Sequence, residues 1–272
     1  MIRIEDNFED VLGKAMSGLG LNVDTLAAAS GLEAAHIRSL LSGSINDEAL
    51  QTLAPALRLS PTKLVDMAHQ RWQPSVQLPD GVALFNTPFP VPGYEEMTVN
   101  SFLIWSGQEA AAFDTGANAN ALLAEVEKQS LRLNALYITH THRDHIAALG
   151  AIRKTCPETT VYRPESEPLP GAVALSAGAR HACGAFKIET RLTSGHSPGA
   201  LSYIVTGGEV PIAFVGDTLF CLSMGKAPRE AYAVALENNR RELLSMPNNT
   251  ILCPGHGPVT TVRDEKARNP FF

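Results

Sequence analysis

The chain has 272 residues, of which 44% are hydrophobic and 18% are charged, so it can bury a sizeable core in one large domain or two smaller ones. Its net charge of −6 gives it no overall attraction for nucleic acid or for anionic membranes. Its four cysteines form no CxxC pair, which favours reduced thiols in a cytosolic protein.

Residues 1–72 are predicted to be helical throughout. Leucine, alanine, isoleucine and valine recur at three- and four-residue spacing, and proline is scarce. Two of the expected helices span Phe8–Ser17 and Glu33–Leu41. A helix between them is capped by Asn22 or Asp24, and two later helices begin at Asn46 and Ser60. The region is therefore expected to be a small all-α domain of about five short helices.

The pattern of residues 26–32, followed by Ile37 and the Leu40-Leu41 pair, resembles the helix-turn-helix of Cro/C1-type repressors. In such a domain the helix at 33–41 would enter the DNA major groove. Residues 1–72 carry six Lys and Arg against nine Asp and Glu, which leaves a net charge of −3. Because a duplex binder normally neutralises several phosphates, we do not expect nucleic acid as a partner. A packing or homodimerisation module and a DNA-binding regulator with a ligand-sensing second domain both stay open.

Residues 73–92 are rich in proline and are predicted to be a linker that passes into a first strand. From residue 93 to residue 272 strands and helices alternate, which favours an α/β layer protein. The expected strands are Val99–Trp105, Ala110–Phe113, Ala135–Thr139, Val161–Arg163, Phe186–Leu192, Leu201–Val205, Ile212–Val215 and Thr250–Cys253. The expected helices are Ala119–Lys128, Ile146–Lys154 and Arg229–Ser245.

A dense group of metal-binding side chains lies at His140, His142, Asp144 and His145. His140 and His142 follow a predicted strand, and alternate side chains of extended backbone point the same way, so both imidazoles can reach one ion. Asp144 and His145 open the next helix and face a second position. Three imidazoles placed together would be costly to desolvate without a partner, so the cluster predicts a metal site.

Three more candidate ligands follow in glycine-flanked turns. They are His196, Asp217 and His256. Glycine lets the backbone bend so that a side chain can project inward. With the first cluster they make seven groups, roughly what two divalent ions need if each keeps a position for water. Zinc is the expected metal, with iron and manganese as alternatives that the same ligand types suit.

The motif series resembles the metallo-β-lactamase superfamily, and within it the glyoxalase II (hydroxyacylglutathione hydrolase) branch. The resemblance covers about residues 80–272. It is carried by His-x-His-x-Asp-His at 140–145, Gly-His-Ser-Pro-Gly at 195–199, Gly-Asp-Thr-Leu-Phe at 216–220 and Pro-Gly-His-Gly-Pro at 254–258. The resemblance implies an αββα sandwich with the metals at one edge of two packed sheets.

The resemblance also implies roles for single residues. His140, His142 and His196 would hold one ion, whereas Asp144, His145 and His256 would hold the other, with Asp217 bridging. Asp144 and Asp217 would be the catalytic carboxylates that orient the nucleophile or take its proton. Asp114 matches an aspartate that braces the ligand loop, and Lys226 matches a lysine that meets the substrate carboxylate.

The expected activity is hydrolysis of a small-molecule thioester, or a related acyl ester, by a hydroxide that bridges two metal ions. An alternative within the superfamily is a mononuclear-iron persulfide dioxygenase. The sequence leaves the acyl group and the thiol carrier open. The first residues show no basic segment followed by an apolar run, and no apolar run approaches the roughly 20 residues of a membrane span, so we expect a cytoplasmic protein.

Overall fold

Two six-stranded sheets form the centre of the protein in the computed structural model, which describes residues 2–272. The first sheet contains, in spatial order, β1 Val82–Pro88, β2 Thr98–Ser106, β3 Glu109–Phe113, β4 Arg132–Tyr137, β5 Thr160–Pro164 and β6 Val173–Leu175. The second contains β7 Arg180–Cys183, β8 Phe186–Leu192, β9 Leu201–Thr206, β10 Ile212–Gly216, β11 Ile251–Pro254 and β12 Thr260–Thr261. Strands β3 to β6 run parallel, as do β10 and β11, and the other neighbours are antiparallel.

The two sheets pack face to face through an aromatic core. Phe113 of the first sheet stacks on Phe214 of the second with ring centroids 3.8 Å apart. Along β3, Phe113 faces this core while Ala110 and Ala112 face the opposite way, toward a separate apolar cluster beneath the helices. Because strand side chains alternate, one short apolar strand supplies both layers. This alternation produces the expected αββα sandwich, and the α/β prediction is confirmed.

Helices cover the outer faces of the sheets. They are α6 Asn120–Lys128, α7 Arg143–Ile146, α8 Leu149–Thr155, α9 Arg229–Asn238 and α10 Val262–Arg268. A π-helical turn at Asn239–Leu243 extends α9, so the helix predicted to run to Ser245 has an irregular end. Leu243 packs with Ala213 and Val215 against the second sheet.

The helix predicted over Ile146–Lys154 is divided into α7 and α8, and Thr115 accounts for the division. The Thr115 hydroxyl donates to the carbonyl oxygen of His145 at 3.0 Å and accepts from the backbone N–H of Ala148 at 3.1 Å. A side chain inserted in this way replaces the helical hydrogen bonds at that point. The break leaves Asp144 and His145 on their own short turn.

The amino-terminal region is helical, as predicted. Its helices are α1 Phe8–Leu19, α2 Val23–Ser30, α3 Ala34–Leu41, α4 Asp47–Leu53 and α5 Pro61–Ala68, with a 3₁₀ turn at Ala54–Leu57. Of the two predicted caps of α2, Asn22 is the one used, and its side chain accepts from the backbone N–H of Thr25 at 2.8 Å. Within residues 2–272, no helix has the length and apolar character needed to cross a membrane.

The amino-terminal helices α1 to α5, here called the helical layer, share their hydrophobic core with the carboxyl-terminal half of the sandwich. Leu12 and Leu50 of the layer belong to the same buried cluster as Met224, Tyr232 and Phe271. The backbone N–H of Ser60 also donates to the carbonyl oxygen of Pro270 at 2.8 Å. The first and last parts of the chain are therefore packed together.

The contact between α1 and α9 depends on a glycine. A β-carbon built at Gly18 would lie 2.3 Å from the ring of Tyr232, a distance that real side chains do not adopt. Gly18 therefore allows α1 to approach α9 closely enough for the Tyr232 ring to be buried.

We expect Tyr232→Ala to lower the free energy of unfolding by on the order of 3 kcal/mol, because it empties a buried site between the helical layer and the sandwich. Urea unfolding followed by circular dichroism measures this change. Val234→Ala, on the exposed side of the same helix, should change stability by less than about 0.5 kcal/mol. Equal effects of the two substitutions would contradict a shared core.

Candidate metal centre

Loops at one edge of the sandwich bring the predicted ligands together. The first cluster follows β4, His196 follows β8, Asp217 follows β10 and His256 follows β11. A rigid sheet can hold such loops in fixed positions while leaving them open to a substrate. The exposed side of the site is marked by His142, whereas His140 is fully buried.

The first group contains His140, His142, His196 and Asp217, and one ligand atom from each lies within 4.8 Å of all the others. Nδ1 of His142 lies 3.0 Å from Nε2 of His140 and 3.0 Å from Nε2 of His196. Oδ2 of Asp217 lies 3.4 Å from Nε2 of His196. Three imidazoles and one carboxylate thus face a common point.

The second group contains Asp144, His145 and His256, whose ligand atoms also lie within 4.8 Å of one another. Oδ2 of Asp144 is 3.1 Å from Nε2 of His256 and 3.7 Å from Nε2 of His145. All three side chains are buried.

Asp217 lies between the two groups. Its Oδ1 is 3.2 Å from Nε2 of His145 in the second group, while its Oδ2 is 3.9 Å from Nε2 of His140 in the first. Gly255 makes room for this carboxylate, since a β-carbon there would lie 2.3 Å from Oδ1 of Asp217 and 2.5 Å from Cε1 of His145. The geometry therefore allows one carboxylate to serve both groups.

Two atoms of this arrangement indicate that the site fits divalent ions. Nε2 of His145 and Oδ1 of Asp217 are buried and lack a hydrogen-bond partner among the described residues 2–272. The two atoms lie 3.2 Å apart without forming a well-aligned hydrogen bond, and buried polar atoms are nearly always partnered, so a cation between the two groups would satisfy both. Imidazole and carboxylate ligands suit zinc, iron and manganese.

The outward ring nitrogen of three ligand histidines is already engaged. Nδ1 of His145 lies 2.7 Å from Oδ2 of Asp114, Nδ1 of His196 lies 2.9 Å from the carbonyl of Lys226, and Nδ1 of His256 lies 2.6 Å from the carbonyl of Thr98. Each acceptor holds a proton on Nδ1, so Nε2 is the ring nitrogen that faces the site. Groups outside the candidate ligand set therefore fix the orientation of these three rings.

Asp114 hydrogen-bonds to Thr139, in the loop that follows β4, and to His145. It accepts hydrogen bonds from the backbone N–H and the hydroxyl of Thr139, both at 2.8 Å, in addition to its contact with His145. Its backbone has a φ of 54°, a left-handed conformation that aspartate tolerates better than most residues. The side chain thereby connects the start of the loop to a ligand of the second group.

Lys226 contributes its backbone rather than its side chain to this arrangement. Its carbonyl oxygen orients His196, whereas the residue as a whole is exposed to solvent. No sequence motif predicts a backbone carbonyl in this role. The contact between the Lys226 ammonium group and a substrate stays a prediction.

The histidines of the two groups differ in the direction in which their pKa values are shifted. Burial lowers the pKa values of His140 and His196 and outweighs the nearby Asp217, so these rings are neutral near pH 7. Burial also opposes the charged form of His145, but Asp217 and Asp114 outweigh it and raise its pKa to about 10. For His256 burial is likewise outweighed by Asp217 and Asp144, and its pKa lies well above the usual value.

The amino-terminal residues also reach the site. Oε1 of Glu5 lies 4.0 Å from Nδ1 of His256, and burial raises the pKa of Glu5. Nζ of Lys14 donates to the carbonyl of Met224 at 2.9 Å and lies 4.8 Å from the ring centroid of Phe220, whose ring is 5.6 Å from that of His256. The helical layer therefore packs directly behind the ligand loops.

The profile of the metallo-beta-lactamase superfamily matches residues 94–256, more than half of the chain. The chain belongs to this superfamily. The probable metallo-hydrolase YqgX of Bacillus subtilis is 29% identical over 196 residues, which cover 64% of this chain and 92% of the relative. The hydroxyacylglutathione hydrolase GloC of Haemophilus influenzae is 30% identical over 207 residues, which cover 67% of this chain and 95% of the relative.

A solved structure supports the same assignment. The protein TTHA1623, crystallised in a di-iron-bound form, is 27% identical, has a TM-score of 0.53, and is matched over 68% of this chain and 99% of its own length. The superfamily relatives and the two His/Asp groups together support a metal-dependent hydrolase. The helical layer lies before the matched residues, and its resemblance to a helix-turn-helix stays a prediction.

The two groups should differ in the protons that they release on binding metal. His140 and His196 are already neutral, whereas His145 and His256 must each lose a proton, so filling the second group should release about two protons. Its affinity should then fall by up to about 100-fold for each unit that the pH is lowered below 8, and that of the first group should fall less. Zinc titration calorimetry in buffers of different ionisation enthalpy measures both steps. Equal proton release in the two steps would contradict these pKa directions.

Proposed function

We propose that the protein is a dinuclear metal-dependent hydrolase that cleaves a thioester or a related acyl ester. The observation that carries the proposal is the position of Asp217 between the two ligand groups: its Oδ1 faces His145 of the second group, and its Oδ2 lies between His196 of the first group and His256 of the second. A site built for one ion would not need a second set of buried ligands beside the first. Zinc is the metal we propose, with iron and manganese as alternatives.

Each ligand has a role in this proposal. His140, His142 and His196 would hold the first ion, Asp144, His145 and His256 would hold the second, and Asp217 would contact both. The two ions would supply a water molecule of lowered pKa as the nucleophile and a positive charge for the oxygen of the attacked carbonyl.

The two carboxylates have further work in catalysis. Hydrogen bonding and charge from His256 and His145 outweigh burial and keep the pKa of Asp144 below its usual value, and the pKa of Asp217 is held well below its usual value by the same histidines. Both are therefore ionised at neutral pH and act as proton acceptors. We propose that they orient the attacking water and take its proton, and that Lys226 contacts an acidic group of the substrate.

A thioester suits this site because a thiolate leaves without a strong general acid. The hydrolase GloC is named for such a substrate, and the superfamily membership is compatible with it.

A mononuclear-iron persulfide dioxygenase is the alternative on this fold. It would use one ion and consume oxygen, whereas the hydrolase needs two ions and water alone. Elemental analysis of the purified protein, together with an oxygen electrode, separates the two activities. The second buried ligand group favours the hydrolase.

We propose that the helical layer is a packing module of the enzyme rather than a DNA-binding domain. Its hydrophobic core includes Met224 and Tyr232 of the sandwich, and its net charge is −3. The exposed surface of α3 offers only His36 and Arg38 as basic or imidazole groups. A random duplex that shifts at low salt would contradict this assignment. The four free cysteines agree with the proposed cytoplasmic location.

We expect His142→Ala to lower the bound metal by about one equivalent per chain and to remove thioester hydrolysis, because it deletes a ligand of the first group. His142 is exposed, so the fold should survive. Elemental analysis and a panel of small thioesters measure the two effects. His36→Ala, an exposed histidine on α3, is the matched control and should retain metal and activity. Full activity in His142→Ala would defeat the proposed site.

A further inference from the structure

A buried carboxylate outside the ligand set joins two of the ligand loops. Glu167 lies in the connection between β5 and β6 and is 5% exposed. Its side chain points at Thr141, which stands between His140 and His142, and at Ser197, which follows His196. The residue therefore contacts every loop that supplies a histidine to the first group.

The two oxygens of Glu167 divide this work. Oε2 accepts from the backbone N–H of Thr141 at 2.8 Å and from its hydroxyl at 2.9 Å. Oε1 accepts from the hydroxyl of Ser197 and from the backbone N–H of Gly199 at 3.2 Å. All four partners are donors, so an ionised carboxylate satisfies each of them.

The surroundings are built to hold the carboxylate in this place. A β-carbon at Gly199 would lie 2.8 Å from Cγ of Glu167, so only glycine allows this approach. On the other side, Nη1 of Arg163 donates to the carbonyls of Pro164 at 2.9 Å, Glu165 at 2.9 Å and Glu167 at 3.1 Å. The Arg163 side chain thus holds the backbone of the loop that carries Glu167, while the Glu167 carboxylate contacts the two ligand loops.

The carboxylate is ionised in this environment. Burial would raise the pKa of Glu167, but the hydrogen bonds from Ser197, Thr141 and Gly199 outweigh it and hold the pKa below its usual value.

We propose that Glu167 is a positioning residue that sets the spacing between the His140–His142 loop and the His196 loop, and so the affinity of the first ion site. The inference rests on the proposed metal centre. The second group is oriented by other partners, namely Asp114 for His145 and Thr98 for His256. Loss of Glu167 should therefore affect one site and spare the other.

Glu167→Gln tests this role with little change in shape. Wherever its amide group points, it meets a backbone N–H, either that of Thr141 or that of Gly199, and neither can turn round to accept. One loop then loses its backbone hydrogen bond to this side chain, and only the hydroxyl of Thr141 or Ser197 can turn to accept from the amide. Substitutions of such outer partners typically cost about 10- to 100-fold in metal affinity. We expect that loss at the first site, with the second site within about 3-fold of wild type.

Stepwise zinc titration calorimetry, and the visible spectrum of the cobalt-substituted protein, report each site without any substrate. Glu165→Gln is the matched control, because Glu165 is exposed and its carboxylate, among the described residues, bonds only to the hydroxyl of Ser176. Ser197→Ala removes one hydrogen bond to Glu167 without changing a charge, and should weaken the same site by a smaller factor. Glu167→Asp keeps the charge but is too short to reach both loops, so it should not restore affinity.

Wild-type affinity at both sites in Glu167→Gln would overturn the inference, as would equal loss at the two sites. Restoration by Glu167→Asp would show that charge alone matters, and would also overturn it. If the wild-type protein takes up two ions and the variants behave as expected, the role stands even when no thioester is cleaved. If the wild-type protein binds no ion, both the metal centre and this inference fail.

Discussion

The buried carboxylate of Asp217 is the constraint on which the rest of the site depends. A charge removed from water needs compensation close by, and His145 and His256 provide it on one side while the first histidine group closes the other. The absence of a side chain at Gly255 leaves the volume that the carboxylate fills. The presence of this one carboxylate thus explains why residue 255 is a glycine and why the pKa values of His145 and His256 are raised.

Outside the ligands, a ring of partners keeps the rings and loops in place. These partners are the backbone carbonyls of Thr98 and Lys226 and the carboxylates of Asp114 and Glu167. Thr98 begins β2, and the other three lie in separate connections of the sandwich. The helical layer adds a further support through Lys14 and the loop at Met224. The candidate metal centre thus depends on the packing of the whole molecule rather than on a single motif.

Features that depend on neighbouring residues in the chain can be predicted from the sequence, whereas features that depend on contacts between distant segments cannot. The candidate ligands can be recognised in the sequence because histidine and aspartate are concentrated within six positions or are flanked by glycine. The alternation of side chains along a strand likewise predicts the two faces of β3. The helix break at Thr115, the carbonyl of Lys226 and the bridging role of Glu167 depend on hydrogen bonds between segments far apart in the chain. No local pattern encodes such contacts, and Asp114 was found only through the family resemblance.

The meeting of the chain's two extremities has a consequence for biosynthesis. The apolar faces of α1 and α5 are synthesised before Phe271, which belongs to the same buried cluster. At about 5–20 residues per second, the intervening 200 or so residues take on the order of 10–40 s to synthesise. During that interval part of the apolar surface of the nascent helices stays exposed, so the yield of folded protein should be sensitive to chaperone supply and to translation speed.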